Sequence, residues 1–403
     1  MKFIAKYVSL GTFLVCALSL YDARAEKGIS DEENKENAVF EDIPDDVHPG
    51  IATFFELKEL LSFRQTSKKF DTMFKYMVPK TIKGKEYKWL LKKIEEYEQE
   101  GDKKEVANYF RVLKTLDVAG TNITAEDLNK IGTYCSKIVV MNLDDCQKID
   151  FTKVDIKLEN LNVLNVSNTN IKAEGFNKTT KFCPRIVMLK FNHCNFIDFT
   201  NVNLNFKNLT NLDLSYTNVE GSGISKICES CPRIVELSLR SCNLVHLTGV
   251  DLNFKDLKVL NLSYTNITEK DVNKINTFCP NIIKLNLNAC GNVDFAKVDL
   301  NLKDLKILKV MYTSIKPEHI KKIRKNCPAL ESLKFKFEEE KDQSIGLVEV
   351  VVDQNEEGQT FLSVGAEGMA RLWNSSGGAW DRLRISSEPE QFNPGDDEKE
   401  NKK

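Results

Sequence analysis

The sequence predicts an α/β solenoid, because one strand-and-helix pattern recurs in register along most of the chain. Runs of the form Leu-x-x-Leu-x-Leu begin every 48 residues, and a second run begins inside each of these units. The repeat length therefore alternates between 25 and 23 residues. The first runs begin at Leu113, Leu161, Leu209, Leu257 and Leu305, and the second runs begin at Ile138, Ile186, Ile234, Ile282 and Leu330.

Each repeat contains the parts of a strand, a turn and a returning segment. Leu116 and Val118 alternate inward along a strand, and a small polar residue follows where backbone groups lack strand partners. In the longer halves the return is a helix, such as the one that Thr124 begins with a capping-box pattern. In the shorter halves a run such as Val202–Phe206 predicts an extended return. The small polar residues are Thr121, Thr169, Thr217, Thr265 and Thr313 in one half and Cys146, Cys194, Cys242 and Cys290 in the other.

This pattern over residues 113–337 resembles the cysteine-containing leucine-rich repeats that commonly accompany F-boxes. The resemblance implies a horseshoe in which the strands form a concave face. Repeat proteins commonly bind their ligands on such a face.

The composition argues for a folded, non-catalytic protein. The chain has 403 residues, 41% of them apolar, and a formal net charge of −2. Such a charge excludes general affinity for nucleic acid or anionic membranes. The four histidines leave little material for acid–base or metal chemistry, and residues 338–403 contain neither Cys nor His. We therefore expect no catalytic residue, no cofactor and no metal site.

Nine of the eleven cysteines lie in two columns of the repeat, an arrangement that fits buried structural positions better than disulfides or zinc. Cysteines of the turn column lie two strands apart, roughly 10 Å, and the Cα atoms of a disulfide lie within about 7 Å. Cys228 and Cys231 form one Cys-x-x-Cys pair with no second pair nearby, so buried structural thiols are the favoured interpretation. A further column at the helix ends contains Cys135, Cys183, Cys231, Cys279 and Cys327.

Residues 1–25 have the pattern of a signal peptide. Lys2 and Lys6 precede an apolar core from Val8 to Leu20, and Ala23 and Ala25 suit a cleavage site. A retained anchor is the alternative. Residues 26–38 form an acidic linker, residues 387–403 a disordered tail, and after cleavage no apolar run is long enough to cross a membrane.

Residues 39–80 predict a small helical module that resembles an F-box. An apolar-Pro pair opens the segment, a Leu-Leu pair and an Arg follow, and an aromatic residue closes it. The sequence departs from the family at His48-Pro49-Gly50, where the F-box continues a helix. The residues that carry the resemblance are Ile43, Pro44, Val47, Ile51, Phe54, Leu60, Leu61, Arg64 and Phe70.

The F-box resemblance implies a partner, the Skp-type adaptor of a cullin-RING ubiquitin ligase, bound by those nine residues. The alternative is that residues 39–80 are only a helical cap on the repeats. Residues 81–112 then form a helical linker and repeat cap, with Trp89, Leu90 and Ile94 inward on a helix from Tyr87 to Tyr97.

We predict that an unknown target protein binds the concave face. The exposed positions before the ladder threonines include a row of tyrosines, and Tyr and Arg are enriched in protein-binding hot spots. The alternative is ordinary surface packing. The predicted target-binding residues are Tyr216, Tyr264, Tyr312, Asp213, Lys190, Arg240 and Lys309, with His193, Asn261 and Lys334 nearby.

Residues 338–386 change character and predict a β-rich cap. Strands are expected around Val350, from Phe361 to Gly365 and from Met369 to Asn374. The run from Phe361 to Asn374 resembles one WD-repeat blade, which alone cannot close a propeller.

Together these features predict a non-catalytic adaptor that links a target to the ligase. The alternative is an exported leucine-rich-repeat binding protein with no ubiquitin role. An export signal and an F-box agree if the protein is delivered from an intracellular bacterium into a eukaryotic host cytoplasm.

Overall fold

The computed structural model describes residues 78–100, 110–181, 183–204, 206–248, 254–335, 349–351, 360–364, 369–373 and 380–384. The predicted signal peptide, the acidic linker, the nine F-box-like residues and the C-terminal tail lie outside these residues. The chain divides into two compact units, Met1–Thr169 with Gly175–Ile186, and Asn170–Glu174 with Val187–Lys403.

In the first unit, short parallel strands pair in chain order. The strands are β1 (Thr81–Lys83), β2 (Thr115–Asp117), β3 (Val140–Asn142) and β4 (Val163–Asn165). Their registers align Ile82 with Leu116, Leu116 with Met141 and Met141 with Leu164. The ladder thus begins at β1, ahead of the first predicted repeat, so the cap supplies a strand as well as a helix.

The cap helix α1 (Tyr87–Glu100) packs against the first repeat helix, α2 (Ala125–Tyr134). Leu90 and Ile94 are fully buried, as predicted, whereas Trp89 is only half-buried. The phenol of Tyr134 donates a hydrogen bond of 2.8 Å to Glu98 of α1, and Lys130 lies 3.1 Å from the same carboxylate. Apolar burial and one charged cluster therefore hold the cap on the repeats.

In the second unit, the parallel pattern continues through short strands in chain order. The strands are β5 (Met188–Lys190), β6 (Asn211–Asp213), β7 (Glu236–Ser238), β8 (Val259–Asn261), β9 (Lys284–Asn286), β10 (Ile307–Val310) and β11 (Ser332–Phe335). β12 (Glu349–Val351) pairs antiparallel with β11. β12 thus covers an edge that would otherwise present unpaired backbone groups.

Helices follow every second strand, as the longer half-repeats predict. They are α3 (Ala173–Thr180), α4 (Gly221–Ser230), α5 (Glu269–Phe278) and α6 (Pro317–Asn326). Cys135, Cys231, Cys279 and Cys327 are the C-caps of α2, α4, α5 and α6. The cysteine column at the helix ends therefore has the position that the sequence predicts.

The N-termini of α2 and α5 use the same capping box but bury it differently. At α2, Thr124 and Asp127 exchange hydrogen bonds at the surface. At α5, Asp271 is only 1% exposed and also accepts hydrogen bonds from the backbone of Leu247 at 2.7 Å and of Thr248 at 2.8 Å. Asp271 thus ties the helix to the neighbouring turn.

The shorter half-repeats are not wholly extended. Single 3-10 turns occupy Phe151–Lys153 and Phe295–Lys297, where the sequence predicts an extended return. Asp150 and Asp294 cap these turns by accepting from the backbone two residues ahead. A local Asp-to-backbone hydrogen bond can form a turn without any helical period in the sequence.

A second sheet follows β12 in the chain. Its antiparallel strands are β13 (Thr360–Val364), β14 (Met369–Trp373) and β15 (Trp380–Arg384). β13 and β14 match two predicted strands, and β12 matches the strand expected around Val350. β15 was not predicted.

Candidate functional site

A row of outward-facing residues crosses the strands of the second unit. The registers place Lys190 beside Asp213, Asp213 beside Ser238 and Ser238 beside Asn261. The same row continues through Asn286, Lys309 and Lys334. We call this surface, together with the residues that follow the strand ends, the strand face.

Asn and Asp residues at the strand ends form a tight turn in both units. The side chain of Asp213 accepts from the backbone N–H of Ser215 at 3.0 Å, and Asn261 accepts from Ser263 at 3.1 Å. In the first unit Asn142 and Asn165 do the same with Asp144 and Ser167. Because one carboxylate oxygen of Asp213 serves this turn, the predicted target-binding role of Asp213 is shared with a structural one.

One residue in each of these turns adopts a left-handed conformation. The φ angles are 59° at Tyr216, 60° at Tyr264 and 57° at Tyr312. Backbone hydrogen bonds between neighbouring repeats continue through this turn, because the Tyr216 N–H donates to the Arg240 carbonyl at 2.7 Å. The other residues of this left-handed column are Gly120, Asp145, Asn168, His193, Ser241 and Ala289.

Positive φ at three tyrosines is unusual. Gly, Asn and Asp adopt this region readily, but for a bulky residue it costs roughly 1–2 kcal/mol. Strain of this kind persists where surrounding structure imposes it, and it clusters at functional sites. The turn therefore holds Tyr216, Tyr264 and Tyr312 in a conformation that the sequence pattern alone did not predict.

Four side chains from successive repeats form a continuous stack on the strand face. The ring of His193 lies 4.2 Å from that of Tyr216, nearly parallel to it. Arg240 donates from Nε to the Tyr216 phenol at 3.0 Å, and its guanidinium carbon lies 5.0 Å from the centre of the Tyr264 ring. We call His193, Tyr216, Arg240 and Tyr264 the aromatic–arginine stack. Each member fixes the next, so the surface is ordered before any ligand arrives.

The predicted target-binding residues differ in exposure. Tyr264 is 46% exposed and Tyr312 45%, whereas Tyr216 and Arg240 are half-buried because they pack on each other. Lys190 is exposed and Lys309 is half-buried. The strand registers place Lys190, Asp213 and Lys309 in one row, and Tyr312 belongs to the column of Tyr216 and Tyr264.

Two exposed apolar residues that follow β5 and β7 in the chain were not predicted. Phe196 is 67% exposed and Leu244 is 46% exposed. They stand at equivalent repeat positions, each two residues after a turn cysteine, Cys194 or Cys242. Comparing equivalent positions across repeats would have found them, since Lys148 and Asn292 are polar there.

The turn threonines and cysteines act as structural hydrogen-bonding groups beneath the strand face. Thr217 Oγ1 donates to the Leu214 carbonyl at 2.7 Å, and Cys242 Sγ donates to the same oxygen at 3.0 Å. Thr265 and Cys290 repeat this arrangement on the Leu262 carbonyl. The sequence predicts that these threonines and cysteines form hydrogen bonds with backbone groups that have no strand partner, and this role is confirmed at these positions.

The ten cysteines of the described ranges are buried free thiols. Burial raises the pKa of the Cys183 and Cys231 thiols to about 11, so both stay protonated at neutral pH. A thiol of this kind is inert toward metals and electrophiles. Within the part of the chain that the structure describes, no group of three or more His, Cys, Asp or Glu residues could hold a metal ion. In the same part, no helix combines the length and apolarity that a membrane span requires.

These features define a class: the chain contains leucine-rich repeats, and their parallel strands carry an ordered exposed face. A family model described as Leucine Rich repeat matches residues 207–228, which include Tyr216. Leucine-rich repeats are typically binding scaffolds rather than enzymes. The search of curated proteins found no match.

Solved structures of repeat proteins show a distant likeness. TLR13 in complex with ssRNA13 aligns at 19% identity and a TM-score of 0.43, over 60% of this chain and 34% of that one. An internalin (inlF) from Listeria monocytogenes aligns at 17% and 0.40, over 57% of this chain and 64% of that one. A chain of the Rad7 and Elc1 complex in yeast aligns at 15% identity and a TM-score of 0.38, over 83% of this chain and 94% of that one.

This chain thus spans about a third of the TLR13 chain and less than two thirds of the internalin. Likenesses at these TM-scores support no conclusion about function.

Proposed function

We propose that this protein is a non-catalytic adaptor, a substrate receptor that links a target protein to a Skp-type adaptor of a cullin-RING ubiquitin ligase. The strand face of the second unit binds the target, and residues 39–80 bind the ligase adaptor. The aromatic–arginine stack supports the first half of this proposal. The second half rests on the F-box resemblance.

The stack suits protein binding for a physical reason. Tyr216 and Tyr264 keep a strained backbone, although Gly or Asn would relieve it, and the gain is a rigid surface of aromatic rings and one guanidinium. Rigid aromatic and Arg side chains lose little entropy when a partner covers them, and they dominate protein-binding energies.

The target half is tested by changing Tyr216, Tyr264 and Tyr312 to Ala together. We expect target capture to be abolished while the thermal unfolding midpoint changes little, because the three side chains lie outside the core. The matched control changes Lys321 and Lys325, exposed on α6, to Ala. Unchanged capture of the target by the triple variant would contradict this half of the proposal.

The ligase half is tested with the full chain and a purified Skp-type adaptor. We expect the wild-type chain to bind the adaptor and the Leu60→Asp/Leu61→Asp variant not to bind it. The apolar pair is expected to be buried against the adaptor, and burying two unpaired carboxylates there would be costly. The triple tyrosine variant should keep adaptor binding, and the Leu variant should keep target binding. No adaptor binding by the wild-type chain at high micromolar concentration would favour the second candidate.

The second candidate is an exported leucine-rich-repeat binding protein with no ubiquitin role. The signal-peptide pattern of residues 1–25 favours it. The first candidate needs the exported protein to reach a eukaryotic host cytoplasm, and we propose that delivery as part of it. Detection of the protein in the host cytosol by fractionation supports the first candidate, whereas recovery only outside host cells supports the second.

A further inference from the structure

Basic groups recur across the strand face of the second unit. Lys190 on β5 is exposed, Arg240 follows β7, and Lys309 and Lys334 are register partners on β10 and β11. His193 adds an imidazole ring that stacks on the Tyr216 ring. Asp213 and Glu236 are the acidic residues of the described outward strand positions here, and both accept hydrogen bonds from neighbours.

The basic groups are spaced for an extended chain. Lys190 and Lys309 occupy one outward row and are separated by five strand intervals, roughly 24 Å at about 4.8 Å each. An extended peptide rises about 3.3 Å per residue, so about seven residues cross this distance. Arg240 lies between the two lysines, above β7.

Apolar groups accompany the charges. Phe196 and Leu244 belong to the repeats of β5 and β7, the repeats that also supply Lys190, His193 and Arg240. Leu244 stands four residues after Arg240 and Phe196 three residues after His193, so exposed apolar side chains follow the strand ends of these repeats. Removing such surface from water contributes about 25 cal/mol per Å² to binding.

We propose that the strand face binds an acidic segment of the target protein, about seven residues long and extended across the strands. Its carboxylates pair with Lys190, Arg240 and Lys309, and its apolar side chains cover Phe196 and Leu244. This inference rests on the target-binding half of the proposed function and is independent of the ligase half.

Charge complementarity favours an acidic peptide over single-stranded nucleic acid. Nucleic acid requires a basic channel along its backbone and free ring faces on which bases stack. Here Asp213 interrupts the basic row and Glu236 lies in the neighbouring outward row, and His193 and Arg240 already contact the Tyr216 ring. A carboxylate needs only the edge of a guanidinium whose plane the aromatic rings hold in place.

The test is selection from a random display library of peptides about ten residues long, against the full-length wild-type chain. We expect enriched peptides to be rich in Asp and Glu with interspersed Leu or Phe. Their binding should weaken about tenfold or more when Lys190 and Arg240 are both changed to Glu, and raised salt should also weaken it.

The matched control changes Lys321 and Lys325 on α6 to Glu, which alters the net charge equally but on the helix side. It should leave peptide binding unchanged. The milder Arg240→Gln variant, with its thermal unfolding midpoint measured, separates lost recognition from lost folding.

Several outcomes would overturn the proposal. Enrichment of neutral or basic peptides, no enrichment, equal binding by the Lys190→Glu/Arg240→Glu variant, or tighter binding of oligouridylate RNA would each do so. Tighter binding of a synthetic peptide of residues 387–403 than of the selected peptides would indicate that this chain's own tail, and not a target protein, occupies the strand face. Failure of adaptor binding alone would leave the acidic-segment inference standing, because the selection contains no adaptor.

Discussion

The strand ends of the two units share one backbone and present different chemistry. In the first unit the left-handed column holds Gly120, Asp145 and Asn168, residues that adopt positive φ easily. In the second unit the same column holds His193 and three tyrosines, together with the smaller Ser241 and Ala289. The repeat thus accepts almost any side chain at this position, and the second unit uses bulky ones despite their conformational cost.

Charge separates the two surfaces as well. Asp117, Asp144 and Asp145 make the first unit's strand ends acidic. Lys190, Arg240 and Lys309 make those of the second unit basic. This difference shows that the outward-facing residues of a repeat protein determine what it binds, whereas the inward-facing residues maintain the repeat fold.

The test with the largest expected effect compares how much buried strand leucines stabilise each of the two units. Leu164→Ala in the first unit and Leu237→Ala in the second should each lower the free energy of unfolding by about 3 kcal/mol, because both side chains are buried in equivalent strands. Denaturant unfolding of each variant measures this. The matched Leu→Met variants should lose less than about 1.5 kcal/mol. A loss below about 1 kcal/mol in only one Leu→Ala variant would show that the two cores differ.

A second test compares the two capping boxes. Asp271→Asn should cost about 2 kcal/mol, because it weakens several hydrogen bonds to a buried carboxylate, and Asp127→Asn at the exposed box about 1 kcal/mol. Equal costs would mean that the link from Asp271 to the neighbouring turn contributes nothing.

The Asp271 effect should depend on pH. Burial opposes its ionisation, but the hydrogen bonds that Thr268 and Thr248 donate together outweigh burial, and the pKa of Asp271 lies below its usual value. A lowered carboxylate pKa stabilises the fold fully above the unfolded-state pKa of about 3.9, and this stabilisation is lost as pH falls through the folded-state pKa. Wild type and Asp271→Asn should therefore converge in stability under acid. Parallel curves from pH 7 down to about pH 2 would contradict this.

The smallest test concerns the left-handed column itself. Gly120→Ala should destabilise the protein by about 1 kcal/mol, because φ is 64° there and no atom lies near enough to clash with an added Cβ. Ala289→Gly, at a φ of 55°, should stabilise it by about 0.5 kcal/mol. Thermal unfolding measures both changes. Changes of the same sign would indicate that the turn does not impose the left-handed conformation.

Most of the repeat could be predicted from the sequence, because each structural position recurs with its chemistry. The strands near Leu116 and Leu212, the helix that Thr124 begins and the cysteine helix caps follow from periods of 48 and 25 residues. The extra strand β1 was missed because Thr81–Lys83 lacks the repeat's Leu spacing. The 3-10 turns were missed because one Asp-to-backbone hydrogen bond leaves no periodic signal.

The sequence by itself determined the repeat, its inward leucines and the tyrosine row, because periodic burial is written directly into residue spacing. Only the tertiary structure decided that Tyr216 and Tyr264 stand in strained turns and that Arg240 joins them into one stack. These contacts link residues 24 positions apart, so they depend on strand register and left-handed turns that no local pattern encodes. The chemistry of the candidate site therefore comes from the packing of successive repeats.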